Sequence, residues 1–266
     1  AVRDIVTYPD PRLREETFDV KEITDDICEL VTDLRDTMYS LNAAGIAAIQ
    51  IGRLERIFLI DGTVAVPQAT SVVAARRFHG DAASVDAHAG MVAQSVLAHC
   101  PEAALVSAEV FDMRRTAPVE AIIDAIDWLI AQQVSLINMS FGIARDVSAL
   151  RAACERATAH DCLLVAAAPS HGPTTYPAGF GACIAVTGDA RCQPGEIALL
   201  GTAKADFGTH PFVHAGQPQH GGGASIATAR MTGLIADMVR RGVSIAHVEA
   251  ALVARAAYVG PEVIGA

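Results

Sequence analysis

Aromatic side chains are scarce in this chain: one Trp, four Tyr and eight Phe make up 5% of 266 residues, although 52% of the residues are apolar. Alanine carries much of the apolar share, and small side chains of that kind suit helices packed closely on a sheet. Positive charge is short as well. Twenty Lys and Arg stand against thirty Asp and Glu, a formal net charge of −10, which argues against nucleic acid or an anionic membrane surface as the main partner. Long uncharged apolar runs are missing, so no segment reads as spanning a bilayer. The opening residues Ala1-Val2-Arg3-Asp4 lack the pattern of a secretion signal, and a cytoplasmic protein is expected. The six cysteines, Cys28, Cys100, Cys154, Cys162, Cys183 and Cys192, show no paired short spacing. Free thiols in a reducing compartment are expected, with Cys183 and Cys192 close enough in sequence to leave one bridge open. Internal repeats and low-complexity tracts are absent, which excludes solenoid and linker-like designs.

What is present begins with Gly221-Gly222-Gly223-Ala224-Ser225, followed by an alanine-rich run through Met238. Glycines let backbone approach a ligand closely. A serine at a helix start sits among unpaired N–H groups that favour negative charge, a good place to attack a carbonyl. Taken alone the stretch equally fits an ordinary helix cap, because Ser is a favoured N-cap residue.

The length fits one large α/β domain, or one domain plus an appendage, and suffices for a sizeable core. Near the start, Tyr8-Pro9-Asp10-Pro11-Arg12-Leu13-Arg14 is turn-like. Thr24-Asp25-Asp26 can cap a helix through about Tyr39, with Ile27, Leu30, Val31, Leu34 and Met38 on one face. Arg56 to Gly62 reads as a buried strand ending at Asp61-Gly62. Strands and helices then alternate: a weak strand or loop at 72–78, helix 85–97, strand 104–111, helix 119–132, strand 134–139, helix 147–159, strands 163–168 and 183–187, helix 225–239 and helix 245–256. Such alternation predicts an α/β fold, a parallel sheet with helices on both faces, preceded by a short helical prefix.

The first quarter resembles the start of peptide deformylases. The residues that carry this are Tyr8 to Arg14, Asp36-Thr37-Met38-Tyr39, and Gly45-Ile46-Ala47-Ala48-Ile49-Gln50-Ile51-Gly52, with Ala43 where a glycine is usual. The resemblance stops near residue 61. The cysteine-bearing motif and the His-Glu-x-x-His helix of that family are missing, so no metal ligands polarise a formyl group. Gln50 matches an oxyanion-holding position that has nothing to serve here. Residues 1–56 therefore read as a borrowed structural or docking segment, for a partner or a second copy of the chain, and 57–266 as the second domain.

In that second domain Asp61 ends a strand, His88 lies early in a helix and Ser225 begins one. An open parallel sheet places its site at such element ends. Ser, His and Asp act together when a base adjoins the hydroxyl and a carboxylate orients the base. Taken singly, Asp61 is a turn residue before glycine and His88 a helical histidine without a task.

The blocks around them resemble subtilisin-like serine proteases, whose triad follows the order Asp…His…Ser. Arg56-Ile57-Phe58-Leu59-Ile60-Asp61-Gly62 is similar to the strand with the acid, and His88-Ala89-Gly90-Met91-Val92-Ala93 to the histidine motif. Ile126 to Ile130, Leu136-Ile137-Asn138-Met139-Ser140-Phe141-Gly142, Leu164 to Ala168, Tyr176-Pro177-Ala178 and Ile184 to Thr187 follow in order, and Gly223-Ala224-Ser225-Ile226-Ala227-Thr228 with Gly233 resembles the nucleophile motif.

The resemblance implies a serine endopeptidase with Ser225 as nucleophile, His88 as base and Asp61 as its orienting acid. The oxyanion asparagine of the family is replaced: Ala167-Ala168-Pro169-Ser170-His171-Gly172 puts Ser170 at its position, to act with the Ser225 backbone N–H. Ser140, Phe141 and Gly142 would wall the pocket for the residue before the cleaved bond, Ala167 would floor it, and Met113 and Arg114 fall on the opposite substrate edge. The expected partner is a specific peptide or protein, such as a precursor carrying a leader. No cofactor is required and no metal site is expected, since His210, His214 and His220 are irregularly spaced; structural calcium stays open. The alternative is a weak or inactive module of the same fold that binds a peptide or protein partner.

Overall fold

The computed structural model describes residues 2–6, 10, 24–40, 45–47, 58–60, 72–79, 87–112, 116–214 and 222–262. The chain divides into two compact units, 1–65 and 66–266. In the first, helix α1 (Asp25–Ser40) begins where Thr24 Oγ1 accepts a hydrogen bond from the Ile27 N–H at 3.4 Å, as Thr at an N-cap does. Ile27, Leu30 and Leu34 are buried along one stripe. Buried Asp33 and Thr37 lie on the same helix. Asp33 accepts from Arg3 Nε at 2.6 Å, and Thr37 Oγ1 accepts the Arg3 backbone N–H at 2.8 Å. Strand β1 (Gly45–Ala47) pairs antiparallel with β2 (Phe58–Ile60), so this unit is not helical alone.

The second unit holds β3 (Val72–Arg77), α2 (Ala87–Leu97), β4 (Leu105–Glu109), α3 (Val119–Ala131), β5 (Leu136–Met139), α4 (Ser148–Ala159), β6 (Leu163–Ala167), β7 (Cys183–Gly188), β8 (Ile197–Leu199), β9 (Phe207–Thr209), α5 (Ala224–Arg240), α6 (Val248–Ala254) and β10 (Tyr258–Val259). Strands β3 and β4 form a parallel pair. The main sheet runs β10-β8-β9-β7-β6-β5. Strands β5, β6, β7 and β9 are parallel; β8 and β10 run against them and extend one edge.

Alternation along the strands separates two cores, as a period of two requires. Leu164, Ala166, Cys183 and Ala185 join Ile122, Ala125 and Ile126 of α3 and Leu150, Ala153 and Cys154 of α4. Val165, Ile184 and Val186 join Ala227, Met231, Leu234 and Ile235 of α5 and Val248 and Leu252 of α6. Strands β8, β9 and β10 have no counterpart in the sequence reading. Each has two or three residues, too few for a period to show. The expected helix 245–256 is a 3-10 turn at Ile245–His247 followed by α6, which ends at Ala254. The open Cys183–Cys192 bridge is not formed; all six cysteines are free. Burial pushes the Cys192 thiol up to about 12. Among the described residues no helix is long and apolar enough to cross a membrane.

Candidate active site

Helix α5 begins at Ala224, and its cap residue is Gly223, not Ser225. Gly223 has φ +112°, a left-handed conformation that side chains disfavour. Its N–H donates to the Pro211 carbonyl at 2.8 Å, and its own carbonyl accepts from Ala227 at 3.1 Å. The first turn is also tied to neighbouring strand ends. Thr209, at the end of β9, donates to the Ala227 carbonyl at 2.8 Å, and Thr228 shares its proton between the Ala224 carbonyl at 2.7 Å and the Val186 carbonyl of β7 at 3.4 Å.

Since Ser225 does not cap the helix, its hydroxyl is available for another partner. It donates to the Ser140 carbonyl at 3.1 Å, and the Ser140 hydroxyl donates back to the Ser225 carbonyl at 3.1 Å. Ser140 is the residue after β5. Two residues that the sequence separates by 85 positions thus meet at the carboxyl end of the parallel strands, where open α/β sheets place their sites.

His88 lies in the first turn of α2 and is half-buried. Helix α2 crosses α5 at Gly233, where an added Cβ would stand 2.4 Å from the Val96 carbonyl oxygen and 3.0 Å from His99 Cβ. The crossing lies eight residues beyond His88 on α2 and eight beyond Ser225 on α5, about 12 Å along each helix axis. Asp61, Met113 and Arg114, together with Gln50 and His220, lie outside the described residues.

Ser170 is exposed, three residues past β6. Strands β5 and β6 are parallel neighbours with Met139 opposite Ala166, so the segments bearing Ser140 and Ser170 leave the same edge. Ala167 is buried and pairs with Val186. Phe141 packs edge-on to Phe111 at 5.8 Å, within the separation that favours aromatic pairs. A Cβ on Gly142 would fall 2.8 Å from Thr175 Oγ1, and Ile143 exchanges backbone bonds of 2.8 and 2.9 Å with Tyr176. The 140–143 segment is therefore held on both sides. Thr175 Oγ1 is itself buried without a partner.

Asn138, Thr232 and His99, polar residues of this region, were not singled out from the sequence. Asn138 and Thr232 bond to each other and adjoin the serine pair; the spacing of Thr232, two helical turns after Ser225, was the available signal. Arg230 is a buried cation. It donates to the Phe212 and Val213 carbonyls at 2.8 and 3.0 Å and faces His99 Nε2 at 3.3 Å. Burial lowers its pKa. Burial first, and then the Arg230 charge, lower that of His99. His210 bonds the Cys192 carbonyl through Nδ1 at 2.7 Å, and its Nε2 is buried without a partner.

Comparison with known proteins divides the chain at nearly the same place. The polypeptide deformylase family matches residues 2–71, and the subtilase family matches residues 66–259. The peptide deformylase of Alkalilimnicola ehrlichii is 44% identical over 61 residues, 23% of this chain and 34% of that protein. A crystal structure of peptide deformylase from Ehrlichia chaffeensis is 37% identical, covering 23% of this chain and 34% of that one, with a TM-score of 0.22. The minor extracellular protease Epr of Bacillus subtilis is 32% identical over 90 residues, 33% of this chain and 14% of that protein. The chain thus spans about a third of the length of the deformylases it matches and a smaller share of the protease. The match at 66–259 takes in most of the chain, and with it the serine pair at the strand ends: the chain belongs to the subtilase family.

Proposed function

We propose that the chain is a serine endopeptidase that cleaves a specific peptide or protein, such as a precursor carrying a leader. One observation carries the reading. The Ser225 hydroxyl stands in the first turn of a glycine-led helix, is not spent on capping it, and is directed at the strand-end residue Ser140.

In the proposed reaction Ser225 Oγ attacks the peptide carbonyl while His88 takes its proton. Asp61 holds the imidazole's tautomer and stabilises its cation. The oxyanion is met by the Ser225 backbone N–H and the Ser170 hydroxyl. His88 then gives its proton to the leaving amine, and water, deprotonated by His88, releases the acyl group and restores the serine. Phe141, Gly142 and Ala167 line the pocket for the residue before the cleaved bond, with Met113 and Arg114 on the other substrate edge.

The test is labelling by an alkyl fluorophosphonate, with Ser225→Ala as control. Labelling of wild type alone supports the serine nucleophile; equal labelling of both removes it. A second reading, a peptide-binding module without turnover, is favoured by one feature: Ser170 offers a hydroxyl where the family has an amide. Cleavage of a bound partner by the purified chain would exclude it.

A further inference from the structure

Asn138 and Thr232 have no part in the reaction above, yet Asn138 is hydrogen-bonded to Ser140, the partner of Ser225, and Thr232 is hydrogen-bonded to Asn138. Asn138 precedes Ser140 by two residues, so the two follow one line along β5 and its first residue beyond the strand. Thr232 follows Ser225 by seven residues, on the same stripe of α5. The two lines meet in two rungs. Ser140 and Ser225 exchange bonds of 3.1 Å. Thr232 Oγ1 stands 3.0 Å from Asn138 Oδ1, its proton shared between that oxygen and the Thr228 carbonyl at 2.9 Å. Asn138 Nδ2 joins the rungs by donating to Ser140 Oγ at 3.0 Å.

The chemistry of the amide gives this arrangement a direction. Asn138 presents an acceptor to Thr232 and a donor to Ser140. Because Ser140 Oγ already accepts from Nδ2, its single proton is left for the Ser225 carbonyl. A carboxylate at 138 would instead accept that proton and free the Ser225 carbonyl.

We propose that Asn138 and Thr232 are positioning residues. They fix the proton direction at Ser140, and Ser140 in turn holds the backbone of Ser225, and so its Oγ, in place for attack. The proposal rests on Ser225 being the nucleophile. Reacting atoms tolerate little displacement: a shift of about 1 Å costs on the order of a hundredfold in rate.

The test is the second-order rate of labelling by an alkyl fluorophosphonate across the neutral pH range, on the full chain, alongside thermal unfolding. Asn138→Asp, which keeps the shape and exchanges donor for acceptor, is expected to slow labelling roughly ten- to a hundredfold. Thr232→Val, which removes the hydroxyl at equal volume, is expected to slow it severalfold, and Thr232→Ser to restore it. The Thr232 pair carries the test where Asn138→Asp does not fold. Wild-type labelling rates in the folded variants overturn the proposal. So does a loss in Thr232→Val that Thr232→Ser fails to restore, since that marks packing alone. If wild type labels no faster than Ser225→Ala, the nucleophile reading falls and this proposal with it; a labelled wild type with unaffected variants overturns this proposal only.

Discussion

Ser225 and Ser140 hold each other by two hydrogen bonds of 3.1 Å, each hydroxyl donating to the other's carbonyl. The pairing sets the first turn of α5 against the end of β5. It also gives Ser140 two contacts, because its carbonyl accepts a hydrogen bond from the Ser225 hydroxyl while its own hydroxyl donates to the Ser225 carbonyl.

Ser140→Ala keeps the carbonyl and removes the anchor. It also strips Asn138 Nδ2 of its acceptor. The expected cost is about 1–3 kcal/mol of stability, with slower fluorophosphonate labelling of Ser225. Urea unfolding and labelling rates, measured together, check both effects; an unchanged unfolding midpoint would show that the hydroxyl contributes nothing.

At Gly233 the two helices come too close for a side chain, since a Cβ would meet the Val96 carbonyl oxygen at 2.4 Å. That neighbour is backbone and cannot rotate away. Gly233→Ala is expected to cost about 1–3 kcal/mol, as overpacking does, and to displace α2, which bears His88. A thermal midpoint equal to wild type would contradict the close crossing.

Ser170→Asn tests the proposed oxyanion donor by gain rather than loss. Removal of one such donor costs roughly 10²–10³ in rate. An amide at this position is therefore expected to raise the labelling rate or turnover by tenfold or more if the serine is a weak donor. A rate equal to or below wild type would show that the exposed Ser170 hydroxyl serves fully or that the loop does not reach the site.

The pH dependence of stability should carry the mark of His99. Its folded pKa lies below the ordinary value, through burial first and the Arg230 charge second. The unfolded chain therefore binds this proton first as the pH falls. The stability it contributes is fully present above about pH 6.5 and is lost as the pH drops toward the lowered folded value. His99→Gln is expected to flatten the unfolding free energy against pH in that window. Equal slopes in wild type and variant would show that His99 titrates freely in the folded chain.

Much of the fold was legible because it depends on local pattern. The apolar stripe of Ile27, Leu30 and Leu34 marked α1, and the apolar run at 163–168 marked β6, buried on both faces. The short strands β8, β9 and β10 were not legible. Phe207-Gly208-Thr209 has no period to read, and it becomes a strand because β7 and β8 supply the hydrogen bonds on either side.

For the site, the sequence by itself set the chemistry available: a serine after three glycines, a histidine early in a helix, an Asp-Gly strand end, and a serine where an amide is usual. It left Ser225 poised between nucleophile and helix cap. Only the tertiary structure decided that the cap is Gly223, that the Ser225 hydroxyl turns to Ser140, and that Asn138 and Thr232 stand behind the pair. The reason is range. Propensity and periodicity act over a few residues, whereas a hydrogen bond between positions 85 apart exists only once the sheet has brought β5 beneath the start of α5.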